Sequence, residues 1–122
     1  MYIYIIECED GSLYTGIAKD IVHRLRQHYH HLPGCAKYTM SHQMKTLRAL
    51  WSTDDKVTAF RLEFWIKKLT KRQKLELVAS QEAITSVLPH AEGPLPEVRV
   101  VHDFDLSQVI QFANSQKKKI EQ

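Results

Sequence analysis

Residues 2–17, which read YIYIIECEDGSLYTGI, decide the architecture of this chain. β-branched and aromatic residues over positions 2–7 are typical of a strand. Asp10-Gly11 marks a turn, and Leu13 to Ile17 is the predicted returning strand. The segment therefore predicts a β-hairpin with a tyrosine motif in each strand.

The length of the turn determines whether Tyr4 and Tyr14 share a face of this hairpin. A two-residue turn would place them on opposite faces, because a shift of one residue reverses every side chain. A three-residue loop, Glu9-Asp10-Gly11, puts glycine in the left-handed position of a type I turn with a bulge. We predict this loop, which pairs Tyr4 with Gly16 and puts both phenols on one face. Strand aromatics also commonly belong to the core, so a core role and a site both remain open here.

The composition is that of one soluble domain. The chain has 122 residues, of which 43% are apolar and 25% charged, enough to bury one core. No apolar run approaches the roughly 20 residues of a membrane helix, and we expect no secretory signal. Cys8 and Cys35 form no disulfide framework, so we expect a reducing, cytoplasmic location.

Charge is divided unevenly along the chain. From Lys19 to Glu76 there are 13 Lys and Arg against 5 Asp and Glu, a balance of +8. The remainder has 4 against 9, a balance of −5, and the two give the net charge of +3. A basic middle is typical of a protein that binds phosphate backbones. Solvated helix faces are also rich in lysine, so charge alone leaves both interpretations open.

Caps, apolar spacing and breakers predict the elements that follow the hairpin. We predict a helix from Ile21 to Leu32 capped by Asp20, a loop over 33–42, a strand over 46–51, a helix over 56–69 capped by Thr53 or Asp54, and a helix over 71–80.

The last third of the chain differs from the rest. Four breakers within eight residues predict a turn-rich connector: Pro89, Gly93, Pro94 and Pro96. Val98–Val101 is predicted as an extended segment, 106–114 as a last helix and Lys117-Lys118-Lys119 as a frayed basic tail. We therefore divide the chain into a domain over 1–80 and a C-terminal extension over 81–122.

One rim of the first predicted helix carries Arg24, His28 and His31 at helical spacing. Guanidinium and imidazole groups at the edge of a buried stripe can meet both a phosphate and a neighbouring sheet. An exposed polar face beside the core would show the same pattern. Three other histidines are interpreted as surface residues: His23, His30 and His42.

Glu63 is the unusual residue of the second predicted helix. It lies four residues after Ala59 and three before Ile66, at the margin of the apolar stripe. Basic residues surround it: Arg61, Lys67 and Lys68. A carboxylate there is either paired with a cation of the protein or holds a hard metal ion through oxygen.

The conjunction and order of these features resemble the GIY-YIG nucleases over about residues 1–80, and most closely their short stand-alone bacterial members, relatives of the UvrC-type excision-repair nuclease domain. The matching segments are Tyr2-Ile3-Tyr4, Leu13–Ile17 (LYTGI), Asp20–His28 (DIVHRLRQH), Gly34–Thr39 (GCAKYT) and Ala59–Lys74 (AFRLEFWIKKLTKRQK). The resemblance implies an α+β fold with a small three-stranded antiparallel sheet flanked by helices.

The resemblance also implies roles for individual residues. Tyr4 and Tyr14 would be the motif tyrosines, one of which orients or deprotonates the attacking water. Arg24 would stabilise charge on the scissile phosphate, and His28 would contribute to the site. Glu63 would hold one divalent ion, Mg²⁺ or Mn²⁺, against a phosphate oxygen.

A nucleic-acid contact surface is implied as well. Gly16 would keep its strand clear for backbone approach, and Lys37 would contact substrate phosphate. The basic residues of the last matching segment would extend the surface: Lys67, Lys68, Lys71, Arg72 and Lys74. The implied function is a metal-dependent endonuclease that hydrolyses DNA phosphodiester bonds in repair or recombination. Branched and single-stranded DNA are among its candidate substrates.

Departures from the family pattern leave a second function open. Tyr2 stands where the first motif has glycine, Thr15 where isoleucine is usual, and Met40 where stand-alone proteins often have arginine. No asparagine follows Glu63 before Asn114, although many members use one. The alternative is a catalytically weak or inactive GIY-YIG-fold protein that binds nucleic acid.

A zinc site is the third interpretation. It would combine Cys35 with His28, His31 and His42. Their spacing matches no pair-of-pairs zinc pattern, so we do not favour it. The sequence leaves the oligomeric state open.

Overall fold

The computed structural model describes residues 1–89 and 96–111. The elements in chain order are β1 (Tyr2–Cys8), β2 (Leu13–Ala18), α1 (Ile21–His30), α2 (Lys37–Ser41), β3 (Met44–Ser52), α3 (Lys56–Lys67), α4 (Lys71–Ala79), a 3-10 helix (Gln81–Val87), β4 (Arg99–Val100) and α5 (Ser107–Ile110). The predicted α+β class is confirmed. Three predicted features lie outside the described residues: Gly93 with Pro94 in the connector, residues 112–114 of the last helix, and the lysines of the tail.

The β1–β2 hairpin has the predicted three-residue loop. The backbone N–H of Gly11 donates to the carbonyl of Cys8 at 2.9 Å, and the N–H of Cys8 donates to the carbonyl of Ser12, also at 2.9 Å. Gly11 has φ +84°, the left-handed position that favours glycine. Tyr4 therefore pairs with Gly16, as predicted, and both motif tyrosines lie on the same face.

The sheet has four antiparallel strands in the order β2-β1-β3-β4, so the predicted number of three is wrong. The additional strand, β4, pairs Val100 with Trp51 and Arg99 with Ser52. It is two residues long and lies within the segment 98–101 that was predicted as extended, but so short a segment carries no pattern that shows its pairing with a sheet. Only its hydrogen bonds to β3 make it a strand.

Each face of the sheet carries its own hydrophobic cluster, because side chains alternate along the strands. On one face Ile3 and Trp51 pack with Leu62 and Ile66 of α3. On the other face Tyr4, Ile6 and Leu50 pack with Ile21 and Leu25 of α1 and Val109 of α5 (the set is completed by Ala18 and Met44). β1 is thus buried on both sides, while α3 also contacts β2.

Helix α1 begins as predicted and ends two residues early. The carboxylate of Asp20 accepts from the N–H of His23 at 3.1 Å, which caps the first turn. The helix ends at His30 because His31 adopts a left-handed conformation, with φ 54°. Its N–H bonds to the carbonyl of Gln27, the usual closure of a helix C-terminus.

The loop predicted over 33–42 contains a helix, α2. It has five residues and no side-chain cap, so neither spacing nor a start signal marks it in the sequence. The cap of α3 is Asp55 rather than Thr53 or Asp54. The Asp55 carboxylate accepts from the N–H of Val57 at 3.1 Å and from the hydroxyl of Thr58 at 2.6 Å.

The remaining boundaries differ from the predictions by a few residues. β3 is longer than predicted, α3 ends at Lys67 instead of position 69, and α4 ends at Ala79 with Thr70 and Gln73 forming a capping box at its start. In the described part of the chain no helix is long and apolar enough to cross a membrane.

Candidate active site

Tyr4 and His28 form the centre of the candidate site. Strand β1 presents Tyr4 toward α1, where its Oη lies 2.6 Å from Nε2 of His28. His28 has 0% of its surface exposed, so it lies beneath the site rather than on the rim that its spacing predicted. A histidine this buried must have both ring nitrogens satisfied by the protein.

Thr39 supplies the second partner of His28. Its Oγ1 lies 2.9 Å from His28 Nδ1 and donates to the carbonyl of Ala36 at 3.1 Å. Since the threonine hydrogen is used on Ala36, Nδ1 donates to Thr39, and the bare Nε2 accepts the hydroxyl hydrogen of Tyr4. We call this directed chain, from Tyr4 through His28 and Thr39 to Ala36, the tyrosine relay.

Burial keeps the tyrosine relay uncharged at neutral pH. It raises the pKa of the Tyr4 hydroxyl well above its usual range, an effect that Arg24 opposes and that Tyr14 and Glu63 strengthen. Burial and then the charge of Arg24 lower the pKa of His28 to about 4. The phenol is therefore protonated and the imidazole neutral. Arg24, Tyr14 and Glu63 are therefore within electrostatic range of the Tyr4 hydroxyl.

Arg24 is held in place by the loop that follows α1. Its Nη1 donates to Gln27 Oε1 at 2.9 Å and to the carbonyl of Gly34 at 2.8 Å. Gln27 in turn donates to the carbonyl of Pro33 at 2.9 Å. A guanidinium carries five N–H groups in a planar fork, which is more than these two bonds use, and that of Arg24 also bonds to the Tyr4 hydroxyl.

Tyr14 begins a row of rings that leads away from the tyrosine relay. Its ring centroid is 5.4 Å from that of His28, edge to face, and 5.4 Å from that of Tyr38, stacked. Tyr38 stacks on His42 at 4.2 Å, and His42 Nδ1 lies 2.6 Å from a carboxylate oxygen of Asp10. These contacts fix the orientation of Tyr14 from the α2 side.

Two of the histidines interpreted as surface residues are half-buried. His42 belongs to the ring row, and His30 Nε2 lies 2.7 Å from the carbonyl of Val109 in α5. Both contacts join segments distant in sequence, which spacing along one helix does not show. His23 is exposed, as predicted, and so is His31.

Glu63 reaches the same region from α3. Its side chain is 22% exposed, and Lys67 Nζ lies 3.7 Å from its Oε2. Lys67 Nζ also lies 5.7 Å from the ring centroid of Tyr14, so the α3 residues meet the edge of β2 beside the tyrosines. The alternatives for Glu63 thus both have support: it has a cation partner, and that ion pair is long and partly solvated.

The donors at Glu63 suit a magnesium-like ion better than zinc. Across residues 1–89 and 96–111, no three His, Cys, Asp or Glu side chains are grouped so that they could share a metal. Mg²⁺ is commonly held through one or two carboxylates, water and substrate phosphate. A single half-buried carboxylate fits that mode, whereas structural zinc needs four protein ligands.

The predicted basic residues lie in different surroundings. Lys74 is half-buried, and burial followed by the charge of Lys67 lowers its pKa. Arg72 pairs with Glu76 at 3.5 Å on the exposed face of α4. Lys37, Lys68 and Lys71 are exposed. Contact of these residues with nucleic acid stays a prediction.

The sequence interpretation missed Thr39 as a member of the site. It lay inside the GCAKYT match, but its role depends on α2 docking against α1.

Gly16 has a structural role beside the predicted one. A Cβ at this position would overlap Oη and Cζ of Tyr4 and come 3.0 Å from its Cε2.

A hairpin with a tyrosine in each strand, an arginine on the next helix and a glutamate on a later one define the GIY-YIG class of nuclease domain. The family model described as the GIY-YIG catalytic domain matches residues 1–76, and the chain belongs to this family. Membership indicates a nuclease-type function with a nucleic-acid substrate.

Relatives in several bacteria resemble the chain over most of their length. UPF0213 protein YhbQ of Salmonella arizonae is 40% identical over 94 residues, 77% of this chain and 92% of the relative. UPF0213 protein FN1575 of Fusobacterium nucleatum is 37% identical over 67% of this chain and 80% of the relative. UPF0213 protein BH0048 of Halalkalibacterium halodurans is 40% identical over 64% of this chain and 81% of the relative. The predicted kinship with the short stand-alone type is confirmed, and no solved structure matches the chain significantly.

Proposed function

We propose that the protein is a divalent-metal-dependent endonuclease that hydrolyses phosphodiester bonds in DNA. The observation that carries the proposal is the Tyr4 hydroxyl, which donates to a neutral His28 and is within electrostatic range of Arg24 and Glu63. A phenol whose hydrogen is committed to an imidazole still has lone pairs to offer a water. A cation and a carboxylate beside it are the groups that a phosphodiester reaction needs.

The tyrosine relay would act on the attacking water. As the water oxygen forms its bond to phosphorus, one water proton passes to Tyr4 Oη and the Tyr4 proton passes to His28 Nε2. His28 Nδ1–H keeps its bond to Thr39, which stabilises the imidazolium. The bond from phosphorus to the leaving oxygen breaks, that oxygen takes a proton from solvent, and His28 then returns its extra proton through Tyr4 Oη to solvent. Arg24 stabilises the charge that develops on the phosphoryl oxygens.

Glu63 would hold the single divalent ion, Mg²⁺ or Mn²⁺. When bound, such an ion polarises a phosphoryl oxygen and lowers the pKa of its water ligands. The ion pair with Lys67 is compatible with this role, because at 3.7 Å and partial exposure it contributes little to stability.

The basic residues would hold the DNA backbone beside the site: Lys37, Lys67, Lys68, Lys71, Arg72 and Lys74. Binding would then weaken steeply as salt rises, because counterions are released from the phosphates. A cytoplasmic role in repair or recombination, on branched or single-stranded DNA, belongs to the same proposal.

The test is incubation with plasmid, single-stranded and branched DNA in Mg²⁺, Mn²⁺ or EDTA. Cleavage should require metal and fall about a hundredfold or more in Arg24→Ala, the scale for loss of one charge-stabilising group. Glu63→Gln should abolish it, whereas Glu82→Gln, an exposed glutamate of the 3-10 helix, should leave it unchanged. Wild-type cleavage no faster than that of Glu63→Gln would reject the enzyme. The catalytically inactive alternative would then predict salt-dependent DNA binding without product.

A further inference from the structure

Helix α3 presents two phenylalanines to solvent. Phe60 is 49% and Phe64 53% exposed, one helical turn apart. The helix already buries a separate stripe, which includes Leu62 and Ile66, so core packing does not account for the two rings. Together with Glu63, Lys67 and Lys68 they line one groove along the helix.

Each phenylalanine is accompanied by a lysine. Lys68 Nζ lies 4.8 Å from the ring centroid of Phe64, and Lys56 Nζ lies 5.8 Å from that of Phe60. Aromatic faces interleaved with ammonium groups suit single-stranded nucleic acid, whose bases stack on the rings while its phosphates pair with the cations. The charge of the groove complements such a strand.

The groove is continuous with the candidate active site. Glu63 is a member of both, and Lys67 bridges Glu63 and Tyr14. A strand whose phosphate pairs with Lys67 beside Glu63 would carry its neighbouring base over Phe64. Bases inside an intact duplex are stacked on one another and cannot reach these rings.

We propose that Phe60 and Phe64 form a stacking platform for unpaired bases next to the phosphate at Glu63, so that α3 selects a single-stranded or locally opened strand. This inference rests on the proposed function, because it places the reacting phosphate at Glu63. It assigns a specificity role to two residues that contact no reacting atom.

The test measures binding without cleavage. A fluorescein-labelled oligothymidylate, an abasic strand of equal length and a blunt duplex are titrated with protein in EDTA, with fluorescence anisotropy as the readout. Phe64→Ala and Phe60→Ala should each weaken binding of oligothymidylate about tenfold, the scale of one lost stacking contact. Binding of the abasic strand should not change. Val57→Ala is the matched control, since Val57 is a 64% exposed apolar residue of α3 that does not line the groove.

Equal losses on the two strands, or no loss on either, would overturn the platform. Sedimentation of the same variants measures their oligomeric state, and so tests the alternative that this face binds a second copy of the chain. If Phe64→Ala dissociates an oligomer and leaves oligothymidylate affinity unchanged, the face is a self-association surface and the proposal is wrong. The assay contains no metal, so it measures base stacking even if the protein does not cleave DNA. If the protein cleaves DNA but binds the abasic strand as tightly as oligothymidylate, only the platform is refuted and the proposed function stands.

Discussion

Gly16 and Tyr4 are cross-strand partners, and the glycine leaves the space that the Tyr4 phenol occupies. The ring lies across β2 at the one position of that strand without a side chain. From there the hydroxyl reaches His28. The second motif thus supports the first one sterically, and the two tyrosine motifs act as a unit because of a contact between their strands.

Substitution of Gly16 by alanine should displace Tyr4. The new Cβ would overlap the phenol, and overpacking a buried site typically costs about 1–3 kcal/mol. Urea unfolding of Gly16→Ala, Tyr4→Phe and the double variant measures the coupling. The double variant should lose less stability than the two single variants together, because Tyr4→Phe removes the closest overlapping atom. Strict additivity would contradict the contact.

Thr39→Val should disrupt the tyrosine relay while preserving side-chain shape. It leaves Nδ1–H of His28 buried without an acceptor, which costs about 1–3 kcal/mol. ¹⁵N NMR of the imidazole should show the loss of a single tautomer, and DNA cleavage should fall. Thr39→Ser keeps the hydroxyl and should restore the wild-type tautomer. A wild-type tautomer in Thr39→Val would exclude a positioning role for the threonine.

His28 should make the fold sensitive to acid. Its pKa is about 4 in the folded protein against 6.5 for an unperturbed histidine, so the unfolded chain binds more protons between these values. The contribution of neutral His28 to the free energy of unfolding is therefore fully present above pH 6.5. It is lost as the pH falls toward 4, by about 3 kcal/mol in total.

Unfolding free energies of the wild type, His28→Gln and His23→Gln between pH 4 and 7 check this expectation. His28→Gln should flatten the slope, and His23→Gln, an exposed control, should not. Equal slopes in the wild type and His28→Gln would show that other groups cause the acid sensitivity.

Thr15→Val should stabilise the protein. Within the described residues, Thr15 Oγ1 is buried and has no hydrogen-bond partner. Valine has the same shape without the polar atom, so the free energy of unfolding should rise by about 1 kcal/mol. Thr58→Val is the control with the opposite expected effect. It should lower the free energy of unfolding, because the Thr58 hydroxyl donates to the Asp55 cap at 2.6 Å. A lower urea midpoint for Thr15→Val would refute the expectation.

Local chemistry made the hairpin predictable. A three-residue loop that ends in Gly11 has one favoured geometry, and that geometry alone set the pairing of Tyr4 with Gly16. The start of α1 followed from Asp20 in the same way. The ends of helices were less accurate: Pro33 predicts that α1 ends at Leu32, but His31 adopts the left-handed conformation and closes the helix two residues earlier.

The sequence by itself determined the order of the hairpin, the first helix and the glutamate helix, because turn geometry, capping and apolar spacing act between near neighbours along the chain. Only the tertiary structure decided that His28 is buried, that Thr39 orients it, and that β4 joins the sheet. These features depend on desolvation and hydrogen bonds between segments that meet after folding. Glu63 and Phe64 show the same distinction. The sequence placed both residues on α3, but only the packing of that helix left Glu63 half-buried near the tyrosines and Phe64 exposed to solvent.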